Sequence, residues 1–138
     1  IFVAYKDSSG DFENTKSVIA EAPAVAVFPG SELFLKEGLE HGGMGCISAT
    51  CNVNPAEIRR VYDVGIDAQS GDLEAINDKM VSFRRTVEKY GPIPAMKGML
   101  AVKRGDSRWR NVRPPILPSS TSATEELLNE LGSELNLQ

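Results

Sequence analysis

Apolar positions fall into short runs in the first half of the sequence and into helical stripes in the second. Ile1-Phe2-Val3-Ala4-Tyr5 runs straight into Lys6 and is then stopped by Asp7-Ser8-Ser9-Gly10-Asp11. A run rich in β-branched and aromatic residues, bounded by turn formers, predicts a buried strand. Asp11 is placed to cap a helix with Phe12, Thr15, Val18, Ile19 and Ala22 on one face, and Pro23 stops it. Ala24-Val25-Ala26-Val27-Phe28 reads as a fully buried parallel strand broken by Pro29-Gly30. Ser31 then caps a short helix through Leu33, Phe34, Leu35 and Leu39, which ends at His41-Gly42-Gly43. Residues 45–50 predict a third strand. Asn54-Pro55-Ala56-Glu57 supplies an N-cap, a proline at the first position and an acid in the first turn of a helix. Its apolar stripe is Ile58, Val61, Tyr62 and Ile66. Strand and helix thus alternate, which points to a parallel sheet.

From Gly71 onward the pattern is helical. A long helix over 72–90 carries Leu73, Ile76, Met80, Phe83 and Val87 on one face. Gly91-Pro92-Ile93-Pro94 reads as a break before a second helix over 95–104, closed by Gly105-Asp106. The prolines of Arg113-Pro114-Pro115-Ile116-Leu117-Pro118 require extended chain. A capping box at Ser122 and Glu125 starts a last helix with Leu127, Leu128, Leu131 and Leu135. Two domains are expected, over 1–70 and 71–138.

The composition, 41% hydrophobic and 25% charged over 138 residues, is that of a soluble globular protein. With a net charge of −4 and no basic run or basic-aromatic stripe, nucleic acid is not expected as a partner. No apolar stretch approaches the ~20 residues that span a bilayer, and no signal peptide is visible. Two cysteines, Cys46 and Cys51, do not make a disulfide framework, so a reducing cytoplasm is the expected location.

The chemistry centres on Lys6. Side chains on a strand alternate faces, so Phe2, Ala4 and Lys6 share one face, and Lys6 stands where that face ends. One reading has its stem over apolar neighbours and its ammonium in water. The other has a desolvated amine, and burial favours the neutral form that attacks a carbonyl to give a Schiff base.

The segment Ala4-Tyr5-Lys6-Asp7-Ser8-Ser9-Gly10-Asp11 resembles the active-site segment of the dihydrodipicolinate synthase / N-acetylneuraminate lyase family. Phe28-Pro29-Gly30-Ser31-Glu32 is similar to the end of that family's seventh strand. Gly42-Gly43-Met44-Gly45-Cys46-Ile47-Ser48 is similar to its Gly-Gly-x-Gly-x-Ile-Ser pattern. Tyr5 departs from the aliphatic residue usual before the lysine. The resemblance runs through both halves of the sequence and is assigned to the carboxy-terminal half of the chain only. It implies a (β/α)8 TIM barrel, here its last three β/α units (strands 6 to 8 and their helices) over 1–70, followed by a small all-helical domain over 71–138. It also implies a pyruvate-dependent class I aldolase or lyase, with Lys6 as the Schiff-base residue. Gly30 would leave room for a small keto acid, and Ile47 would lend its backbone carbonyl to the pyruvate and lysine. The implied substrate is pyruvate or a 2-keto acid. No metal or organic cofactor is implied, and the expected assembly is a homo-oligomer, tetramer or dimer. Because a whole barrel needs ~250 residues and the first residue already lies in a strand, the chain reads as a carboxy-terminal piece, inactive alone.

Other residues have plainer readings. Ser8, Ser9 and Ser48 are candidate hydroxyls for a substrate carboxylate, although capping the next helix also accounts for Ser8 and Ser9. His41 sits where a helix C-terminus suits a cation. The Gly42-Gly43-Met44-Gly45 stretch precedes a predicted strand, the wrong order for phosphate binding. Arg108, Trp109, Arg110 and Arg113 suit either a docking loop or a ligand. The competing function is a non-catalytic α/β binding or assembly module, with Lys6 as an anion-binding point charge.

Overall fold

The computed structural model describes residues 1–67 and 72–132. The elements are β1 (Ala4–Asp7), α1 (Phe12–Glu21), β2 (Ala26–Pro29), α2 (Leu35–Glu40), α3 (Pro55–Ile66), α4 (Leu73–Lys89), α5 (Pro92–Arg104) and α6 (Thr121–Leu131). Short 3₁₀ turns at Glu32–Phe34, Ala49–Asn52 and Ser107–Arg110 lie between them. By contacts the chain divides into two compact units, Ile1–Ser48 with Glu57–Val81, and Ala49–Ala56 with the residues from Ser82 onward.

In the first unit, β1 and β2 pair in parallel, Ala4 opposite Ala26 and Asp7 opposite Pro29. The connection is α1, capped by Asp11, whose carboxylate accepts from the Glu13 amide at 3.0 Å. Phe12 and Thr15 are the buried members of its stripe. Val27, Leu35, Ile58, Val61 and Met80 complete the buried set. Ser31 caps the turn into α2 by accepting from the Leu33 amide.

Three expectations for this unit are corrected. Residues 45–50 do not form a third strand. Met44 donates to the Val27 carbonyl at 2.9 Å and Ile47 to that of Pro29 at 3.0 Å, so the segment does lie along β2. Its donors are three residues apart while the acceptors are two apart, and Gly45 at φ +140° takes up the mismatch. A regular ladder cannot form across unequal steps. Second, the opening run is not buried: Ile1, Phe2 and Val3 are exposed, and of β1 only Asp7 is buried. Third, the described residues are mostly helical with one two-stranded, unclosed sheet. The expected last three β/α units of a (β/α)8 TIM barrel are therefore not what the chain forms.

The second unit is built on α5 and α6. Val53, Phe83, Val87, Ala95, Met96, Met99, Leu127 and Leu131 make one buried cluster, with Tyr90, Leu100 and Leu128 against it. Helix α5 starts at Pro92, three residues before the expected point. Its two prolines fall in the first turn, where no N–H is needed. Gly105, left-handed at φ +60°, closes it. The cap of α6 is Ser120 rather than Ser122, its hydroxyl accepting from the Ala123 amide at 3.1 Å. The expected break at Gly71 and the place of Leu135 lie outside the described residues.

Candidate functional site

The carboxyl ends of β1 and β2 meet at Asp7 and Gly30. The Gly30 amide donates to the Asp7 carbonyl at 2.5 Å, extending the pairing of Lys6 with Phe28 and Asp7 with Pro29. Ile47 reaches the same place through its amide bond to Pro29. Main-chain hydrogen bonds thus gather the neighbourhoods of Lys6, Gly30 and Ile47 at one end of the sheet. Their side chains differ in setting: Lys6 is exposed and Ile47 is half exposed. The desolvated amine expected at Lys6 is not supplied by the described residues.

The best-ordered group here is the Asp7 carboxylate. It is buried, and accepts from the Thr15 hydroxyl at 2.6 Å, the Asn14 side-chain amide at 3.1 Å and the Ser9 backbone amide at 2.9 Å. Burial pushes its pKa up, but these donors, Thr15 foremost, outweigh that and hold the carboxyl down at about 2. A pocket of about 170 Å³ opens beside it, lined by Asp7, Ser8, Gly10, Thr15, Gly30, Ser31 and Phe34. Gly30 keeps this corner narrow, since a Cβ there would stand 2.6 Å from the Asp7 carbonyl oxygen and 2.9 Å from Ser8 Oγ.

The candidate hydroxyls separate. Ser8 lines the pocket. Ser9 turns inward on the loop, its hydroxyl accepting from the Asp11 amide at 3.2 Å. Ser48 donates to Glu32, a fully buried carboxylate just past Gly30. Asp7 and Glu32 were not singled out by the sequence reasoning.

His41 caps α2, its Nδ1 2.9 Å from the Glu37 carbonyl, with its ring edge-on to Phe12. The arginine-rich stretch is not one cluster. Arg108 pairs with Asp106, Lys97 lies over the Trp109 ring, and Arg110 donates to Thr124 Oγ1 at 2.8 Å. Among the described residues no three acidic, histidine or cysteine side chains converge as a metal site requires. Nor is any described helix long and apolar enough to cross a membrane.

Residues 2–133 match the model of the dihydrodipicolinate synthetase family. The chain belongs to that family. The match takes in almost the whole sequence, which corrects the restriction of the resemblance to a carboxy-terminal half of the chain. A protein of Chloroflexus aurantiacus described as an uncharacterized DapA-like lyase is 32% identical over 126 residues, covering 91% of this chain and 41% of that one. The dihydrodipicolinate synthase of Agrobacterium tumefaciens superposes with a TM-score of 0.73 at 26% identity, over 91% of this chain and 41% of that one. The N-acetylneuraminate lyase of Fusobacterium nucleatum gives 0.76 at 19% identity, over 93% and 44%, a likeness of fold alone. The chain thus spans about two fifths of the length of these family members.

Proposed function

We propose that the protein to which this chain belongs makes or breaks a carbon–carbon bond through a Schiff base between Lys6 and pyruvate or another 2-keto acid. The Lys6 amine adds to the keto carbon, and water leaves as the iminium forms. A proton, or the far carbon fragment, departs from the adjacent carbon with its electron pair held as an enamine. The enamine then takes up an aldehyde carbon or a proton, and water returns to free the amine. Gly30 and the main chain at Ile47 border the keto acid. The observation that carries this reading is the position of Lys6 at the carboxyl end of β1, one residue before the Asp7–Gly30 link, in a chain of this family.

Borohydride reduction of the full-length protein with pyruvate tests it. One pyruvate-derived mass is expected on the peptide holding Lys6, and none in Lys6→Arg, whose guanidinium stays charged and cannot act as the nucleophile. A module that merely binds anions through Lys6 gains no mass. Trapping that persists undiminished in Lys6→Arg would assign the imine to another lysine.

A further inference from the structure

Lys6 is an exposed side chain with a long flexible stem, and no hydrogen bond in the described structure fixes its amine directly. What is fixed is the residue beside it. On a strand neighbouring side chains point to opposite faces, so the burial of Asp7 turns Lys6 outward. The Asp7 carboxylate is tied to the start of α1 through Thr15 and Asn14, and to the loop through the Ser9 amide. The Asp7 carbonyl is tied to β2 through Gly30. Both ends of the residue that follows Lys6 are therefore anchored, one to a helix and one to a neighbouring strand.

We propose that Asp7 is a positioning residue for Lys6: its three side-chain acceptor bonds and its carbonyl bond to Gly30 fix the residue that follows Lys6, and so the direction in which the amine leaves the strand. The proposal rests on Lys6 being the Schiff-base residue. The donors to Asp7 are neutral, which suits this role. A cation there would compete for a keto acid's carboxylate, whereas a hydroxyl and two amides hold the carboxylate without offering one. Thr15 makes the shortest of these bonds and lies on the buried stripe of α1, so it carries the link between helix and strand end.

The test uses the full-length protein and two changes at Thr15, away from the reacting amine. Thr15→Val keeps the shape and loses the hydroxyl, while Thr15→Ser keeps the hydroxyl. The rate of pyruvate trapping on Lys6, per folded molecule at saturating pyruvate, is expected to fall roughly ten- to hundred-fold in Thr15→Val. In Thr15→Ser it should stay within about twofold of wild type, a rescue that loss of packing alone would not give. The NMR order parameter of the isotope-labelled Lys6 side chain should fall in Thr15→Val and hold in Thr15→Ser. Wild-type trapping with unchanged Lys6 order in Thr15→Val would overturn the proposal and leave the aldolase reading standing. If wild type itself is not trapped, the aldolase reading fails, and the order parameter alone decides whether Asp7 positions Lys6. Should Thr15→Val not fold, Asn14→Ala removes one donor from the rim and is expected to give a smaller loss in the same direction.

Discussion

A Cβ built at Gly30 would press on the Asp7 carbonyl oxygen, backbone already committed to the Gly30 amide and unable to move without parting the two strand ends. Gly30→Ala is therefore expected to destabilise the fold by about 1–3 kcal/mol, read as a lower urea midpoint; an unchanged midpoint would show that the strand ends have room to spare. Asp7 gives a second prediction, in pH. Its folded pKa of about 2 lies below the ordinary 3.8, so the stability it contributes is complete above 3.8 and is lost as pH falls through 2. That loss is about 2 kcal/mol by linkage. Denaturant midpoints measured from pH 6 down to 2 should fall in wild type, and Asp7→Asn should lack this component. Lys6 and Gly30 were singled out because each stands at the end of an apolar run. Asp7 was not, because an acid ahead of Ser-Ser-Gly looks like turn chemistry. One sign points to it: Thr15, on the buried stripe of α1, needs a partner for its hydroxyl.

Among the elements, spacing locates the helices, while the segment after α2 departs from the strand that its composition predicts. Cys46-Ile47-Ser48-Ala49 has the composition of a strand, but pairing needs equal steps on both sides, and no local pattern reports the step of a distant partner. Helix α5 begins ahead of its expected start because the first turn accommodates its prolines, which therefore make no break. The packing of α5 on α6 hangs on small contacts that composition does not reveal. A Cβ at Gly98 would meet Thr124 Oγ1 at 2.5 Å, and Thr124 is buried and held by Arg110. Gly98→Ala should therefore cost about 1–3 kcal/mol despite the gain in helix propensity that alanine brings. Thermal melts of the two proteins check this, and a variant that melts higher than wild type would mean that Thr124 yields.

For the molecule as a whole, the expected alternation survives as one parallel pair, and the helical second half follows its stripes. A closed sheet could not have been read from three short motifs, since closure depends on pairings that this chain's own residues do not make. The two sides of the pair are not equivalent. Beyond β2 lie Met44 and Ile47, whose amides occupy its carbonyls. Beyond β1, among the described residues, no strand is paired, and Ile1, Phe2 and Val3 are exposed beside it. Such an edge is adhesive. Self-association of the 138-residue chain is therefore expected, weakened by Val3→Lys and measurable by sedimentation velocity across a concentration series; a sedimentation coefficient independent of concentration would contradict it. In the language of polymer chemistry, the misfitting Met44–Ile47 segment makes this sheet a monofunctional unit. One open edge can couple to its like about a two-fold axis, and the product then has no reactive end left. Growth should stop at the dimer, where a sheet with both edges open would go on to fibres.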